Sequence, residues 1–276
     1  MLVKNAKELL MKAKDGHYAI PSCNFVDLDS ARVLCSTAEE LHLPLILSFA
    51  EVHKTVLSIE EAALVGKYLA ERYDTPIILH LDHGMEEEYC VRAIDLGFTS
   101  VMIDASMKDF EGNVTTTKNV VKYARQFGVQ VEAEIGHVGS NALASDTSLY
   151  TEPEEAARFV AESGCDSLAV SIGTSHGVYK TGTPSLSFDA LHGIAAALPD
   201  TPLVLHGGSG TGDENLSRCA KEGIAKVNIF TDLYVAALSA IQDPKIKDYL
   251  EMKSANNAAI KAVQMHYYKV FGTKTL

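Results

Sequence analysis

The sequence contains no apolar run of the roughly 18 residues that a membrane-spanning helix needs. Its first residues are amphipathic and charged throughout, so they also lack the continuous apolar stretch of a signal peptide. We therefore expect a protein without a membrane partner, located in the cytoplasm.

Excess positive charge is missing as well. The 276 residues include 24 lysines and arginines against 36 aspartates and glutamates, which gives a formal net charge of -12. Because an acidic surface repels phosphate backbones and anionic lipids at long range, we expect no nucleic acid partner either. A small phosphorylated substrate stays compatible with this charge, since a metal ion or backbone amides can create a local positive site.

Cysteine pairs with the spacing Cys-x-x-Cys do not occur. The five cysteines are odd in number and widely scattered, which favours reduced, mostly buried thiols over a disulfide framework. No proline- or serine-rich linker divides the chain either, so we predict that residues 1–276 form one domain with a large core.

Apolar, strand-like runs recur along the chain, and helical patterns separate them. We predict strands at 18–25, 44–50, 76–83, 100–105, 130–136, 167–173, 202–207 and 226–231. We predict helices at 28–42, 58–73, 86–96, 114–127, 153–163, 188–198 and 214–222, with a helical tail from about 233 onward that breaks near Pro244. Eight such units favour a (β/α)8 barrel of the TIM type, and an open doubly wound sheet is the alternative.

Polar side chains lie near the carboxyl end of each predicted strand. From the first strand to the eighth they are Asn24, Ser48, Asp82 with His83, Asp104, Glu134, His176, His206 and Asn228. Closure of a barrel would bring these scattered residues to one rim, and active sites of such barrels lie at that rim. We therefore expect Asn24 and Ser48 to contact a substrate there.

Three histidines of this set, His83, His176 and His206, are the predicted metal ligands. Three neutral imidazoles with one open position are typical of a catalytic zinc site. The carboxylate of Asp82 would be costly to bury without a nearby cation or a role in moving protons. Asp104 and Glu134 would either orient the ligands or form a second metal position, so a second divalent ion or a monovalent cation is a further candidate cofactor.

The remaining histidines follow no such pattern. We expect solvated side chains for those on predicted helices or loops, which are His17, His42, His53, His192 and His266. His80 lies deeper in the third strand, and Glu132 lies one layer below Glu134. We expect both to be buried partners of other polar groups.

A glycine-rich turn follows the seventh strand, and a polar segment ends the eighth. In such barrels the loops after these two strands commonly bind phosphate, because glycines let backbone amides approach the anion and a helix start adds a favourable dipole. The predicted phosphate contacts are Gly207, Gly208, Ser209, Asn228, Ile229, Phe230 and Thr231.

Four segments carry a resemblance to a known family: 79–83 (LHLDH), 166–177 (DSLAVSIGTSHG), 205–210 (LHGGSG) and 227–232 (VNIFTD). Over nearly its whole length the chain resembles the class II, zinc-dependent ketose-bisphosphate aldolases of the fructose- or tagatose-bisphosphate type. The resemblance implies a lyase that reversibly cleaves a phosphorylated ketose to dihydroxyacetone phosphate and an aldehyde through a metal-stabilised enediolate. It also implies a homodimer or homotetramer.

The resemblance further implies roles for individual residues. Zinc would lie on the three histidines, and Asp82 would give and take the proton at the aldehyde-derived oxygen. Asp104 and Glu134 match the family's second metal position. Gly177 joins the glycine-rich turn and the end of the eighth strand as contacts of dihydroxyacetone phosphate.

Departures from the family pattern surround the aldehyde half of the site. The family usually carries a glutamate in the loop after the fifth strand, and the segment 136–143 (GHVGSNAL) lacks it. Candidate replacements are His137, Asp146, Tyr150 and Glu51. Fructose-bisphosphate enzymes tend to have an aspartate where Phe230 stands, and the segment 49–53 (FAEVH) replaces a serine-bearing one. We therefore expect an aldehyde partner other than glyceraldehyde 3-phosphate.

Two other functions stay open at this point. A barrel metallohydrolase would use zinc to activate water, but strand one offers only Asn24 where such enzymes usually have a His-x-His pair. A non-catalytic, aldolase-like subunit is the second alternative. The intact histidine trio with Asp82 argues against it, because an abandoned site has no need to bury a charge.

Overall fold

Eight parallel strands form a closed barrel in chain order in the computed structural model, which describes residues 1–136, 138, 150–177, 179 and 182–275. The last strand pairs with the first, with Asn228 opposite Ser22. The predicted (β/α)8 TIM barrel is confirmed, and the open doubly wound alternative is wrong. That residues 1–276 form one domain stays a prediction.

The strands lie close to where the apolar runs predict them. They are β1 (Ile20–Asn24), β2 (Leu45–Ala50), β3 (Ile77–Gly84), β4 (Ser100–Ile103), β5 (Gln130–Ile135), β6 (Ser167–Val170), β7 (Leu203–Leu205) and β8 (Ile224–Ile229). β6 and β7 end earlier than the prediction, because the residues after them leave the ladder and build the rim. β8 begins two residues before the predicted start at Lys226.

Ten helices surround the barrel in the described part of the chain. They are α1 (Ala6–Asp15), α2 (Leu28–Leu41), α3 (Ile59–Arg72), α4 (Glu87–Leu96), α5 (Phe110–Ala124), α6 (Pro153–Ser163), α7 (Phe188–Ala197), α8 (Asp213–Lys221), α9 (Thr231–Ile241) and α10 (Tyr249–Phe271). The helical tail breaks between α9 and α10, as Pro244 predicts. α5 starts four residues earlier than predicted, because the Asp109 side chain accepts a hydrogen bond from the amide of Gly112 and caps the helix.

The amino-terminal end of the barrel is closed by α1. Leu9 and Leu10 of this helix are buried in an apolar cluster with Ile20, Ile46 and Ile78, which come from the first three strands. The opposite end carries the carboxyl ends of the strands and the polar residues that follow them. Packing therefore leaves this rim as the place for a site. None of the described helices is both long enough and apolar enough to cross a membrane.

Polar side chains occupy the barrel interior below that rim. His80, Glu132 and Lys226 are each at most 1% exposed. Lys226 Nζ donates to both carboxylate oxygens of Glu132, at 2.8 and 2.7 Å, and lies 3.0 Å from Nε2 of His80. Since buried charges are tolerated when they are paired, this network explains how strands β3, β5 and β8 can carry ionisable residues at core positions.

Candidate active site

Three histidines from distant parts of the chain meet at the rim. His83 stands near the end of β3, His176 follows β6, and His206 directly follows β7. One nitrogen from each ring lies within 4.8 Å of the other two. Four-coordinate zinc with bonds of about 2.0–2.1 Å would hold such nitrogens roughly 3.3 Å apart, so this cluster has the size of a zinc site.

The orientation of His83 is set by its backbone and by Asp104. Its φ of 47° lies in the left-handed region, where non-glycine residues are uncommon, and the ladder between β3 and β4 shifts register at this point. Nδ1 lies 2.7 Å from Oδ2 of Asp104, whose other oxygen accepts from Ser106 Oγ at 2.7 Å. This leaves Nε2 to face the other two histidines.

His206 is oriented from below by the buried network. Its Nε2 lies 2.9 Å from Glu132 Oε1, and its Nδ1 lies 2.9 Å from His83 Nε2. A carboxylate can only accept, so Glu132 fixes the proton on Nε2 and leaves the lone pair of Nδ1 toward the centre. Metal-ligating histidines usually have such a carboxylate partner.

Two of the three rings are held neutral, as a metal ligand must be. Burial, with the charges of His83 and His206 adding to it, lowers the pKa of His176 to about 3. Burial and His83 lower the pKa of His206. Burial also opposes charge on His83, but the carboxylates of Asp82 and Asp104 outweigh it and raise its pKa to about 10. His83 thus carries the extra proton in the metal-free cluster, and a divalent ion would have to displace that proton to bind.

Asp82 lies beside the cluster and is held by two amides. Asn24 Nδ2 donates to Oδ2 and Asn228 Nδ2 donates to Oδ1, each at 2.8 Å. Burial opposes ionisation, but the charges of His83 and His206 outweigh it and hold the pKa of Asp82 well below its usual range. The carboxylate is therefore ionised and held in one orientation by its two amide donors.

Glu134 and Asp104 form a second cluster with His83, again with ligand atoms within 4.8 Å of one another. Val138 donates its amide to Glu134 Oε1 at 3.2 Å, whereas Oε2 is buried without a hydrogen-bond partner among the described residues. Burial and then the charge of Asp104 raise the pKa of Glu134 to about 8. A buried carboxylate oxygen without a donor fits a position for a cation.

The glycine-rich turn lies flat against the neighbouring backbone. Gly207 has a φ of 68°, and a Cβ there would meet the carbonyl oxygen of Ser175 at 2.5 Å. A Cβ on Gly208 would lie 2.8 Å from the carbonyl oxygen of Asn228. Ser209 Oγ accepts from the amide of Phe230 at 3.3 Å, which ties the turn to the start of α9. These positions therefore require glycine, and of the two only Gly207 is partly exposed.

Two of the predicted contacts do not reach this rim. Ser48 is fully buried, its Oγ lies 2.6 Å from Ser22 Oγ, and it stands opposite His80 in the β2–β3 ladder. The rim residue Asp82 stands opposite Ala50, one layer higher, so the structure does not bring Ser48 to the site. The side chain of Ile229 is also fully buried, in the apolar layer outside the barrel.

The remaining predicted residues are placed as follows. Gly177 is exposed at the rim with a φ of 90°, and Thr231 is half-buried as the first residue of α9. Both oxygens of Glu51 are used within the protein, by Lys54 Nζ and by the amide of Met85, each at 2.8 Å. Tyr150 is half exposed, with its ring beside Gly173. His137 and Asp146 lie outside the described residues.

Sequence reasoning missed two residues of this region. The expectation that His53 is solvated is wrong, because its ring is half-buried and packs on Phe230 with ring centroids 4.6 Å apart. Lys226, fully buried below the three-histidine cluster, is not among the predicted site residues. Its position two residues before Asn228 on one strand places both side chains on the same face, and that period of two was the available signal.

Comparisons with known proteins agree with this geometry. Residues 4–275 match the family model for class-II fructose-bisphosphate aldolase. The chain is 36% identical over 283 residues to a fructose-bisphosphate aldolase of Staphylococcus aureus, covering 99% of this chain and 98% of the relative. It is 38% identical over 246 residues to the D-tagatose-1,6-bisphosphate aldolase subunit GatY of Klebsiella oxytoca, covering 88% and 86%. The crystal structure of the YdjI aldolase of Escherichia coli K12 superposes with a TM-score of 0.90 at 35% identity, covering 99% and 98%.

Proposed function

The chain belongs to the class II fructose-bisphosphate aldolase family, and we propose that it is a zinc-dependent lyase that reversibly cleaves a phosphorylated ketose to dihydroxyacetone phosphate and an aldehyde. The observation that carries this proposal is the convergence of three imidazole nitrogens within 4.8 Å of one another beside an ionised aspartate. Family membership makes the chain an aldolase. The metal, the substrate fragment and the residue roles are our inference.

His83, His176 and His206 are the residues that would hold the zinc ion. Their donor set of three imidazoles suits zinc among the common biological cations. Once bound, zinc supplies Lewis-acid stabilisation for the enediolate that carbon–carbon cleavage leaves behind. Asp104 holds His83 and Glu132 holds His206, so two of the three rings keep their orientation without the ion.

Asp82 is the proposed base for cleavage. It would take the proton from the hydroxyl whose carbon becomes the aldehyde, and it would return that proton in the condensation direction. The amides of Asn24 and Asn228 each occupy one of its oxygens, which fixes the carboxylate plane toward the metal cluster. No lysine is needed as a Schiff-base nucleophile, and the buried Lys226 is committed to Glu132.

The phosphate of dihydroxyacetone phosphate would bind at the glycine-rich turn. Gly177 and Gly207 offer partly exposed backbone without a side chain, and Ser209 adds a hydroxyl. The predicted contact Gly208 is less accessible, because this residue is buried and its amide donates to the carbonyl oxygen of Asn228 at 3.2 Å. The nearby start of α9, at Phe230 and Thr231, contributes the positive end of a helix dipole. This arrangement explains how an acidic protein can bind a phosphorylated sugar.

Location and assembly follow from the family rather than from the chain's own contacts. We infer a cytoplasmic homodimer or homotetramer, without nucleic acid or membrane partners. Sedimentation equilibrium of the purified protein tests the assembly, and a monomer at micromolar concentration would contradict it.

A retro-aldol screen tests the function. Zinc-loaded protein is offered ketose 1-phosphates and ketose 1,6-bisphosphates, and release of dihydroxyacetone phosphate is followed with and without a chelator. We expect chelator-sensitive release from at least one ketose, and its loss in Asp82→Asn, which keeps the shape of the side chain. Zinc-dependent hydrolysis of esters or amides without aldehyde release would instead favour the metallohydrolase.

A further inference from the structure

We propose that His53 and Phe230 form one wall of the aldehyde side of the site and select an aldehyde fragment that bears hydroxyl groups but no phosphate. The preferred substrate would then be a ketose monophosphate, phosphorylated only on the dihydroxyacetone half. This inference rests on the proposed aldolase function and names the substrate class of the same site.

The two residues bridge the end of β1. His53 ends a 3₁₀ turn (Glu51–His53) that follows β2, and Phe230 lies between β8 and α9. β2 and β8 are the two neighbours of β1 in the barrel. The rings of His53 and Phe230, which follow these two strands, therefore meet above the carboxyl end of β1. The centroids are 4.6 Å apart and the planes are tilted by 33°, which is direct ring packing.

A third ring holds this pair in place. Tyr234 of α9 packs against Phe230, with centroids 4.8 Å apart, and its hydroxyl donates to the carbonyl oxygen of Asn24 at 3.0 Å. The three rings therefore form a continuous stack anchored on the backbone of the last residue of β1. Phe230 therefore packs against one ring on each side, which favours a single orientation of its side chain.

The stack lies on the Asp82 side of the site. Asn24, on which Tyr234 is anchored, donates its amide to Asp82, and Asn228, two residues before Phe230, donates to the other oxygen. The charge of Asp82 also acts on His53, where it partly offsets the effect of burial on the pKa. Since Asp82 is the proposed base at the aldehyde-derived oxygen, this wall faces the aldehyde fragment.

The chemistry of the wall suits hydroxyl groups better than phosphate. Burial lowers the pKa of His53, so its ring is neutral near pH 7. Its Nδ1 is buried without a hydrogen-bond partner among the described residues, so no hydrogen-bonded carboxylate in that part of the chain restores charge to the ring. The adjacent cation, Lys54, is already paired with Glu51 at 2.8 Å. Among the described residues of this wall, a phosphate dianion would face a phenyl ring and a neutral imidazole, whereas it needs arginine, lysine or free amides.

The test compares matched substrates that differ only in the second phosphate. We measure kcat/KM for the 1-phosphates and for the 1,6-bisphosphates of fructose, tagatose, sorbose and psicose. The ratio of the two values is compared between the wild type, His53→Ala and Phe230→Ala. Exchange of the carbon-bound proton of dihydroxyacetone phosphate, without aldehyde, reports the other half of the site. Val52→Ala is the control, because Val52 lies in the same turn and is 76% exposed.

We expect the wild type to favour the best monophosphate over its bisphosphate by at least about tenfold, the scale of discrimination that one pocket contact supplies. Each wall variant should lower cleavage at least about tenfold more than it lowers exchange, whereas Val52→Ala should change neither. Two results would overturn this inference and leave the proposed aldolase function standing. One is a wild type that prefers the bisphosphates while exchange is intact, and the other is an equal loss of cleavage and exchange in the wall variants. Absence of both exchange and cleavage in zinc-loaded wild type would overturn the proposed function and this inference with it.

Discussion

The buried ion pair between Glu132 and Lys226 gives the sharpest prediction about stability. Lys226 Nζ lies 2.8 and 2.7 Å from the two oxygens of Glu132, and both side chains are at most 1% exposed. Removing one partner leaves the other as an uncompensated charge in the barrel interior. We expect Lys226→Met or Glu132→Gln to lower the free energy of unfolding by roughly 3–5 kcal/mol.

The double variant separates a paired charge from ordinary packing. Glu132→Gln with Lys226→Met removes both charges, so its loss of stability should be smaller than the sum of the two single losses by about 2–4 kcal/mol. The surface ion pair between Arg158 and Glu162 supplies the control. Arg158 is 54% exposed there, and Arg158→Met should cost at most about 1 kcal/mol.

The assay is chemical unfolding of the metal-free proteins, followed by circular dichroism, because zinc would add its own binding energy to the native state. Single losses no larger than that of Arg158→Met, or a double variant with the full sum of the two losses, would refute the reasoning. A zinc titration adds a second readout. Glu132→Gln should weaken zinc binding by about 10–100-fold, since the carboxylate orients His206.

Three further predictions concern single sites. Asp82→Asn should lower retro-aldol kcat by about 10²–10⁴-fold while zinc content is retained, and normal activity in this variant would exclude Asp82 as the base. Gly207→Ala should lower the free energy of unfolding by more than Gly128→Ala does, since both residues have a φ of 68° but only the Cβ at 207 meets backbone, at 2.5 Å from Ser175 O. Equal losses of about 1 kcal/mol in the two variants would mean that backbone strain, and not the contact of the Cβ with Ser175, accounts for the whole effect. Burial raises the pKa of Cys35 to about 12. Alkylation of this thiol near pH 8 should therefore be at least roughly a thousandfold slower in native than in unfolded protein, because the thiolate is the reactive form. Comparable rates would contradict the burial of Cys35.

The barrel could be predicted because its signal is local and repeated. Each apolar run is followed by a helical pattern, and eight repeats leave few other topologies. The meeting of His83, His176 and His206 followed from closure alone, since residues at the carboxyl ends of the strands share one rim. Boundaries were less predictable where a side-chain cap decides them, as at Asp109 before α5.

The wrong predictions concern contacts that depend on the offset between neighbouring strands or on a short turn. A period of two gives the face of Ser48 but not its layer, and the tilt of barrel strands places it level with His80 and below Asp82. His53 lies in a short turn without periodicity, and its partner Phe230 is far away in the sequence. Barrel closure predicts that β2 and β8 flank β1, but not that the side chains of two residues beyond these strands reach one another. Both residues lie where the sequence departs from the family pattern, His53 in the segment 49–53 and Phe230 after the eighth strand. Their contact is the basis of the proposal about the aldehyde fragment.

The most direct measurement is a zinc titration of metal-free protein in which release of dihydroxyacetone phosphate from the best ketose is followed at each step. The account predicts that activity rises in proportion to zinc and reaches its plateau at one ion per chain, and that His176→Ala shows no such rise. Full activity of the metal-free protein, or an unchanged titration curve in His176→Ala, would contradict the claim that the three histidines hold the ion on which cleavage depends.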